Sequence, residues 1–328
     1  MNTLYQGDNL TILREMPDAS VDLIATDPPF NTGKDWGAFN DKWEGGLKGY
    51  LKFMEPRLIE CHRVLKDTGS LYLHCDPTAS HYLKVMLDGV FGIKQFRNEI
   101  VWQRIAGSAK GSQHERRRLG QNTDNILWYS KTNTYLYNPI YKPLDTHEII
   151  SKFPQTDENG KRYSTTTPLF RNPSSSERPN LCYEYKGVSN PYPSGWRVCK
   201  ETLIAMDNAG DIIWREGKRP LRKAYAENYK GIPVQNLWLD IPIASMKERI
   251  GYPTQKPRAL YERIIKASSN QGDTVLDPFA GSGTTLDAAQ TLGRKWIGID
   301  IGDEAITTIE KRLRERHGLL LEYELISD

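Results

Sequence analysis

The sequence predicts an α/β fold with a mostly parallel central sheet, and two observations carry this prediction. Short apolar strands alternate with helical patterns over roughly the first hundred residues, and the same alternation returns after about residue 254. The segment between them is rich in basic, proline and aromatic residues and has little periodicity. We therefore expect one discontinuous domain over residues 1–103 and 248–328, with an inserted basic region over 104–247.

The first part of this domain is predicted to contain two strand–helix pairs. VDLIATD (21–27) predicts a strand, and residues 47–66 predict a helix because apolar residues recur at helical spacing. SLYLHC (70–75) predicts a second strand, followed by a helix near 78–90. Pairs of this kind form βαβ units, in which neighbouring strands are parallel.

The last part of the chain repeats the pattern. A helix is expected over 256–270, a strand over 274–277 and a helix over 283–293. A strand follows over 295–300, and residues 303–316 have the apolar stripe of an amphipathic helix. For residues 151–235 we expect loops with short strands.

Composition and cysteine usage exclude several classes of protein. Charged residues make up 26% of the chain and hydrophobic residues 38%, as in ordinary soluble proteins. No apolar run approaches the roughly 18 residues that span a bilayer, and the N-terminal segment lacks the features of a signal peptide. The four cysteines include no CxxC pair and no accompanying histidine cluster, so we expect a reducing, cytoplasmic location and no metal site.

Charge is unevenly distributed along the chain. Residues 104–247 contain 22 Lys and Arg against 14 Asp and Glu, a net charge of +8, whereas the remainder carries −5. A basic middle between mildly acidic ends indicates a surface that faces a polyanion. The alternative is a solvated surface that is merely rich in Lys and Arg, and charge alone leaves this alternative open.

The stretch DLIATDPPFNTG (22–33) ends a predicted strand in an unusual way. Proline has no backbone N–H for the ladder, so Pro28 and Pro29 stop the strand at Asp27. A carboxylate then stands at the carboxyl end of a strand, where open α/β sheets bind their ligands. The simpler interpretation is a strand followed by a rigid turn, and this stretch alone does not decide between the two.

The stretch LDPFAGSGTT (276–285) predicts a ligand-binding loop between a strand and a helix. The strand ends at Asp277, the two glycines permit positive φ and close approach of a ligand, and a helix begins near Thr284. Free N–H groups at a helix N-terminus suit an anion such as a carboxylate. Thr284 stands where a phosphate loop requires lysine, and Leu286 replaces the third glycine of the dinucleotide pattern, which disfavours NAD.

Two further acids strengthen this interpretation. Asp300 ends the next strand, where an acidic side chain can hold the ribose hydroxyls of an adenosine group. Asp8 ends a short apolar segment before the strand of Asp27, and we expect it to bind the adenine amino group. The simpler alternatives are a helix N-cap or a surface acid for Asp300 and an ordinary Gly-Asp turn for Asp8.

Taken together, these motifs resemble the S-adenosylmethionine-dependent amino-methyltransferases of DNA. DPPF, residues 27–30, resembles the catalytic motif of that family, and DPFAGSGTT, residues 277–285, resembles its cofactor loop. YPTQKP, residues 252–257, resembles the segment that precedes this loop and packs around the methionine end of the cofactor. Because the catalytic motif comes first, the chain is similar to the permuted β class, whose target-recognition region lies between the two motifs.

The resemblance implies a Rossmann-like methyltransferase fold, S-adenosylmethionine as cofactor and double-stranded DNA as partner. It also implies a homodimer and a cognate restriction endonuclease as further partners. The catalytic residues carried over from the motif are Asp27, Pro28, Pro29 and Phe30. The cofactor-binding residues expected from the motifs are Asp8, Thr254, Gln255, Lys256, Asp277, Phe279, Ala280, Gly281, Ser282, Gly283, Thr284, Thr285 and Asp300.

The chemistry of these residues agrees with the N6 nitrogen of adenine as target. This nitrogen is a poor nucleophile, and hydrogen bonds from its protons to Asp27 and the Pro28 carbonyl would offset the charge that develops during attack. Phe30 would stack on the base, which must be flipped out of the duplex to reach such a site. Trp36 is a candidate to close over the flipped base. Candidate phosphate contacts in the basic middle are Arg104, Lys110, Arg116, Arg117 and Arg118.

Other functions stay open at this point. Methylation of the cytosine N4 nitrogen uses the same geometry on the same fold, although enzymes of that kind usually have serine in place of Asp27. None of the four cysteines follows a proline, which sets aside methylation of the cytosine ring carbon. RNA and protein amides are modified by related motifs, but the long basic insertion favours DNA. Two distant alternatives are a DNA-binding regulator without catalysis and a nucleotide-dependent oxidoreductase.

Overall fold

The computed structural model describes residues 2–105, 120–318 and 321–327. Within these residues, the first of two units is built around a nine-stranded sheet. This unit comprises Met1–Ile140 and Val234–Asp328, and Tyr141–Pro233 form a second unit. The two ends of the chain therefore belong to one unit. The second unit lies within the range 104–247 that the sequence predicts to be an insertion.

The strands and helices of the described residues follow one another in a regular order. The first unit begins with β1 (Thr3–Gln6), α1 (Asn9–Glu15), β2 (Val21–Thr26), α2 (Leu47–Val64), β3 (Leu65–Cys75), α3 (Ser80–Phe91), β4 (Phe96–Gln103) and β5 (Thr123–Ser130). The second unit contains β6 (Tyr141–Lys142), α4 (Thr146–Lys152), β7 (Gln155–Thr156), β8 (Arg162–Pro168), α5 (Lys200–Asn208), β9 (Ile212–Ile213), β10 (Leu221–Tyr225) and β11 (Ile232–Pro233). The first unit then resumes with β12 (Leu237–Trp238), α6 (Arg258–Ser268), β13 (Thr274–Asp277), α7 (Thr284–Thr291), β14 (Lys295–Asp300), α8 (Asp303–His317) and β15 (Glu324–Ser327).

The nine-stranded sheet is mostly parallel. Its strand order is β12-β4-β5-β3-β2-β13-β14-β1-β15, and among the described strands only the two pairings made by β5 are antiparallel. Although β2 and β13 are far apart in sequence, they are neighbours, with Leu23 opposite Val275 and Ile24 opposite Leu276. Because parallel neighbours end at the same edge of a sheet, the motifs that follow β2 and β13 lie side by side.

Apolar side chains cover both faces of this sheet. On β2, Leu23 and Ala25 belong to a buried cluster with residues of α6, α7 and α8, whereas Ile24 belongs to a second cluster with residues of α1, α2 and α3. This division follows from the pleat, since successive side chains of a strand point to opposite faces. The three-layer arrangement of helices on both faces of a mostly parallel sheet confirms the predicted α/β fold.

Each strand and helix predicted for the two ends of the chain is present in the first unit. β1, α1, β4, β12 and β15 were not predicted. β5 was not predicted either, and it lies within the range 104–247 yet belongs to the sheet of the first unit. Its antiparallel pairing with β3 and β4 is formed across long sequence separations, which local periodicity does not reveal. Among the described residues, no helix is long and apolar enough to cross a membrane.

The second unit has a small core of its own. Leu169, Phe170, Trp196, Leu203, Met206 and Ile212 form a buried cluster beside a four-stranded antiparallel sheet of order β7-β8-β10-β9. β6 and β11 form a separate antiparallel pair. Short strands joined by loops were expected here, whereas helices α4 and α5 were not.

Candidate active site

A cavity of about 370 Å³ lies at the carboxyl ends of the central strands of the first unit. Asp27 follows β2, Asp277 ends β13 and Asp300 ends β14, and all three line the cavity. The structure thus brings the two sequence motifs together. The predicted site residues along the cavity are Asp8, Asp27, Pro28, Pro29, Phe30, Trp36, Thr254, Gln255, Lys256, Asp277, Phe279, Ala280, Gly281, Ser282, Thr284, Thr285 and Asp300.

The two oxygens of Asp27 have different surroundings. Oδ2 accepts a hydrogen bond from Lys256 Nζ at 2.6 Å, and the same ammonium lies 4.7 Å from the centroid of the Phe30 ring. Oδ1 is buried and has no hydrogen-bond partner among the described residues. β2 ends before this residue because Pro28 and Pro29 have no N–H to continue the ladder. A stiff backbone therefore presents one paired and one unpaired carboxylate oxygen.

Asp277 joins the two motif-bearing strands from inside the protein. Its Oδ1 accepts hydrogen bonds from Thr26 Oγ1 at 2.8 Å and from the Phe279 N–H at 3.1 Å. Burial raises the pKa of this carboxyl from 3.8 to about 7, against the opposing effect of its hydrogen bonds, including one from Thr285. Asp277 is 2% exposed, so its main contacts hold β2, β13 and the loop in register.

The loop between β13 and α7 needs glycine at two positions. Gly281 and Gly283 have φ angles of +49° and +72°, which residues with a Cβ atom rarely adopt. A Cβ on Gly283 would also lie 2.9 Å from Ile309 Cγ1. Gly283 does not line the cavity itself; its N–H donates to the Ala280 carbonyl at 2.7 Å and closes the turn.

Asp300 braces this loop through the backbone. Its Oδ2 accepts from the Gly281 N–H at 2.8 Å, and its Oδ1 accepts from the Gly302 N–H at 2.9 Å. Burial raises the pKa of the Asp300 carboxyl, and the hydrogen bonds from these N–H groups oppose this rise. Each carboxylate oxygen keeps further acceptor capacity, so Asp300 can hold hydroxyl groups of a ligand in the cavity.

Asp8 lines the cavity and also caps α1. Its Oδ1 accepts from the N–H groups of Leu10 and Thr11, both at 3.1 Å, and its Oδ2 pairs with Arg57 Nη2 at 2.6 Å. Both oxygens are thus engaged within the protein, as expected for an N-cap aspartate. Binding of an adenine amino group by Asp8 stays a prediction.

The YPTQKP segment reaches the cavity from the other side. Thr254 has a φ of +61° and lines the cavity. The Gln255 side chain accepts from the Ile250 N–H and donates to the Glu248 carbonyl, which fixes the segment. Lys256 was expected beside the cofactor, and the structure places its ammonium on Asp27.

Two of the predicted DNA-contacting residues can be described. Trp36 lines the cavity and stacks on Phe39 with a centroid separation of 6.5 Å. Arg104 donates to the Gln121 carbonyl at 2.9 Å, and its Nε lies 3.5 Å from Asp124 Oδ1. The remaining candidates, Lys110, Arg116, Arg117 and Arg118, lie outside the described residues.

Several residues around the cavity were missed in the sequence. Asp41 is 1% exposed and organises the loop after the first motif by accepting from the N–H groups of Asn31 and Thr32. His74 and Asp124 form a buried pair next to Asp27. From the sequence, His74 in LYLHCD is interpreted as a structural histidine, whereas Asp124 gave no local signal. Other unpredicted residues along the cavity include Arg57, Phe53 and Tyr261.

The residues along the cavity fit an adenosine-containing cofactor with an amino-acid tail. The volume of the cavity, about 370 Å³, falls in the range of small-molecule sites. The half-buried carboxylate of Asp300 suits ribose hydroxyls, and the ring of Phe279 offers an apolar surface to a base. The glycine turn and the N-terminus of α7 suit the carboxylate of the tail.

Comparisons with known proteins agree with this geometry. The family described as "DNA methylase" (N6_N4_Mtase) matches residues 21–311. The Type II methyltransferase M.EcaI of Enterobacter cloacae is 34% identical over 94% of this chain and 68% of its own length. The DNA adenine methyltransferase YhdJ of Escherichia coli (strain K12) is 30% identical over 95% of this chain and 82% of its own length.

A solved structure shows the same fold. The crystal structure of the M1.HpyAVI–SAM complex, in which SAM is S-adenosylmethionine, superposes with a TM-score of 0.51 at 20% identity, covering 95% of this chain and 99% of that one. The family match spans most of the chain and both motifs of the cavity. The chain therefore belongs to the DNA methylase family and is an S-adenosylmethionine-dependent DNA amino-methyltransferase.

Proposed function

We propose that this protein methylates the exocyclic N6 nitrogen of adenine in double-stranded DNA, with Asp27 and Pro28 as the groups that receive the target amino group. The observation that carries the proposal is that the DPPF motif and the glycine loop line one cavity. A methyl donor bound on the loop and a base bound at the motif would therefore meet. The name of the relative YhdJ, a DNA adenine methyltransferase, supports adenine as the target.

The cofactor side of the cavity is formed by the loop and the strands beside it. S-adenosylmethionine, when bound, supplies an electrophilic methyl group on a sulfonium centre. Asp300 would hold its ribose hydroxyls, and the loop from Phe279 to Thr285 would enclose its amino-acid tail. Thr254 and Gln255 line the same side of the cavity and would bound the methionine end.

The target side is formed by the DPPF motif. Asp27 Oδ2 faces Lys256 and has a second lone pair, so it can accept a hydrogen bond from the amino group while the lysine stays in place. The Pro28 carbonyl would accept a hydrogen bond from the other N–H. Once the methyl group has left the sulfonium sulfur for the nitrogen, the nitrogen loses one proton, for which the Asp27 carboxylate is the acceptor. Two fixed acceptors draw the amine toward tetrahedral geometry and offset the positive charge that develops during attack. The two prolines hold these acceptors in place, which matters because reacting atoms must approach within about 3–3.5 Å.

The base must leave the duplex to reach this cavity. Flipping costs a few kcal/mol, and stacking on an aromatic ring returns about 1–3 kcal/mol per base. Phe30 lines the cavity beside Asp27 and would provide this stacking surface, with Trp36 closing over the base from the loop that follows. The basic region would hold the surrounding duplex through phosphate contacts, with Arg104, Lys110, Arg116, Arg117 and Arg118 as candidates.

The region between the motifs is proposed to recognise the DNA target. It carries the excess of positive charge, and the second unit lies within it. The proposed partners beyond DNA are a second copy of the chain and a cognate restriction endonuclease, both on the basis of the family resemblance. Since the substrate is DNA, we also propose that the protein acts in the cytoplasm, where it is associated with the nucleoid.

The experiment that tests this function is nucleoside analysis of methylated DNA. The purified chain is incubated with S-adenosylmethionine and unmethylated bacterial DNA, and the DNA is digested to nucleosides for mass spectrometry. We expect N6-methyladenine, and sequencing of the same DNA for modified positions would then give the recognition site. 4-Methylcytosine would keep the mechanism and overturn the adenine target, whereas no methylated nucleoside would contradict DNA as the substrate of the isolated chain.

A further inference from the structure

A buried histidine and aspartate lie directly behind Asp27. The His74 Nδ1 atom is 3.6 Å from Asp27 Oδ1, and its Nε2 atom is 3.1 Å from Asp124 Oδ2. The side chains of His74 and Asp124 are only 3% and 2% exposed. Neither Asp27 Oδ1 nor His74 Nδ1 has a hydrogen-bond partner among the described residues. Two unpartnered polar atoms therefore face each other in the protein interior.

The fold holds this arrangement in one geometry. His74 lies on β3 and Asp124 on β5, and Asp27 directly follows β2. These three strands are adjacent in the sheet, in the order β5-β3-β2. The imidazole lies between two aromatic rings, with the Phe30 centroid at 5.4 Å and the Trp102 centroid at 5.6 Å. Since these contacts confine the ring, its two nitrogens stay directed at two different carboxylates.

The charges around the ring determine which nitrogen carries a proton. Burial alone would raise the pKa of Asp124, but the hydrogen bond from His74 and the nearby positive charges of His74, Lys256 and Arg104 lower it overall. Asp124 is therefore an acceptor, and Nε2 donates to it. On the other side, a lone pair on Nδ1 would face the carboxylate oxygen of Asp27 in a buried site, which is repulsive. A proton on Nδ1 removes this repulsion and satisfies both unpartnered atoms.

Each nitrogen of the ring faces a different carboxylate. The groups that face His74 or its partners are the carboxylates Asp27 and Asp124 and the cations Lys256 and Arg104. Lys256 pairs with the Oδ2 atom of Asp27, so it leaves the Oδ1 atom to the histidine. The ring of His74 would then bridge the two carboxylates.

We propose that His74 is a positioning residue whose Nδ1–H donates to Asp27 Oδ1, and that this contact fixes Oδ2 as the oxygen that receives the target amino group. Asp124 keeps the imidazole in the required orientation. This inference rests on the proposed function, because it assigns a reason for the orientation of the carboxylate that the target amine meets. His74 itself touches neither the cofactor nor the target base in this scheme.

Two substitutions distinguish the roles of the two ring nitrogens of His74. His74→Asn places an amide N–H near the position of Nδ1 and retains the donor to Asp27. His74→Gln reaches toward Asp124 and leaves Asp27 without a donor. We expect His74→Asn to keep kcat for methyl transfer within about 3-fold of wild type and His74→Gln to lower it about 10- to 100-fold. The KM for S-adenosylmethionine should be unchanged in both, with melting temperatures compared as the control for folding.

A purely structural role of His74 would give a different result. His74→Gln would then be no worse than His74→Asn, or rate and cofactor binding would fall together with the melting temperature, and either result would overturn the inference. The wild-type chain offers an independent measurement through the ¹⁵N signals of the His74 ring, assigned with the His74→Asn variant. A proton on Nδ1 is expected, and a lone pair on Nδ1 would contradict the scheme.

The failure of this inference can be distinguished from failure of the proposed function. If the wild-type chain forms no methylated nucleoside, the proposed function fails, whatever the variants do. If the wild-type chain methylates adenine and the two variants have equal rates, the function stands and the role of His74 is wrong.

Discussion

The two sides of the cavity hold their carboxylates in different ways. On the cofactor side, both oxygens of Asp300 accept hydrogen bonds from backbone N–H groups of Gly281 and Gly302. On the target side, Asp27 contacts only the side chains of Lys256 and His74 among its described polar neighbours, and its Oδ1 has no hydrogen-bond partner within the described residues.

This difference indicates that one side of the cavity is suited to bind the cofactor and the other to contact the target amino group. Backbone donors fix a carboxylate without side-chain freedom, which suits the repeated binding of one unchanging cofactor. Side-chain partners leave the Oδ1 atom of Asp27 without a hydrogen bond among the described residues and its Oδ2 atom with a further lone pair, which suits a group that must accept hydrogen bonds from a nucleophile. Changes on the two sides should therefore affect different measured quantities.

The largest effect on the cofactor side is expected from Asp300→Ala. The change removes the acceptor for the N–H groups of Gly281 and Gly302 and the group proposed to hold ribose hydroxyls. We expect the Kd for S-adenosylmethionine, measured by calorimetry, to rise about 10- to 100-fold, since a hydrogen bond to a charged group is worth about 1.5–3 kcal/mol. Methyl transfer at saturating cofactor should change by less than about 3-fold.

A matched control for this change is Glu304→Ala. Glu304 is an exposed acid in the first turn of α8, and its loss should leave the Kd within about 2-fold of wild type. An unchanged Kd in Asp300→Ala combined with a lower rate at saturating cofactor would contradict the division between the two sides.

A change in pH is expected to have a smaller effect, on the free energy of unfolding, through the buried carboxyl of Asp277. Its pKa is raised by burial from 3.8 to about 7, so the folded chain binds a proton that the unfolded chain has lost. The contribution of this group to stability is therefore full below about pH 4 and is lost as pH rises through about 7. From pH 5 to pH 8, the wild type should lose about 1–3 kcal/mol from this group.

Asp277→Asn isolates this contribution because the amide does not titrate. The urea midpoints of wild type and variant are measured at pH 5 and pH 8, and the wild type should fall relative to the variant as pH rises. All other titrating groups are common to the two chains and cancel in the comparison. A difference that is independent of pH would show that Asp277 is ionised in the folded chain, against the account given above.

The strand-end motifs of this site could be predicted from sequence because their signals are local. A proline pair that ends an apolar strand and a glycine turn before a helix are each contained within about ten residues, and the structure places both along the cavity. The strand–helix rhythm predicted that both ends of the chain form one domain, whereas the side-by-side position of β2 and β13 is known only from the structure. The family resemblance then connected the two motifs to one reaction.

The partners of the Asp27 carboxylate could not be predicted in the same way. Asp124 reaches His74 only because β5 pairs antiparallel with β3, and this pairing depends on long-range contacts rather than on local periodicity. Lys256 was assigned to the cofactor from its motif, and only the folded geometry shows its ammonium on Asp27. Similarly, the pairing of Asp8 with Arg57 could not be predicted, because the two residues are far apart in sequence and meet only in the folded chain.

The most direct test of the account is the single-turnover rate of methyl transfer by Asp27→Ala at saturating cofactor. We expect a rate at least about 100-fold below wild type, because a fixed acceptor for the target amine is lost, with the Kd for S-adenosylmethionine within about 2-fold of wild type. Asp67→Ala, which removes an exposed carboxylate outside the cavity, should behave as wild type. A rate for Asp27→Ala equal to wild type would contradict the central claim that Asp27 acts on the target amino group.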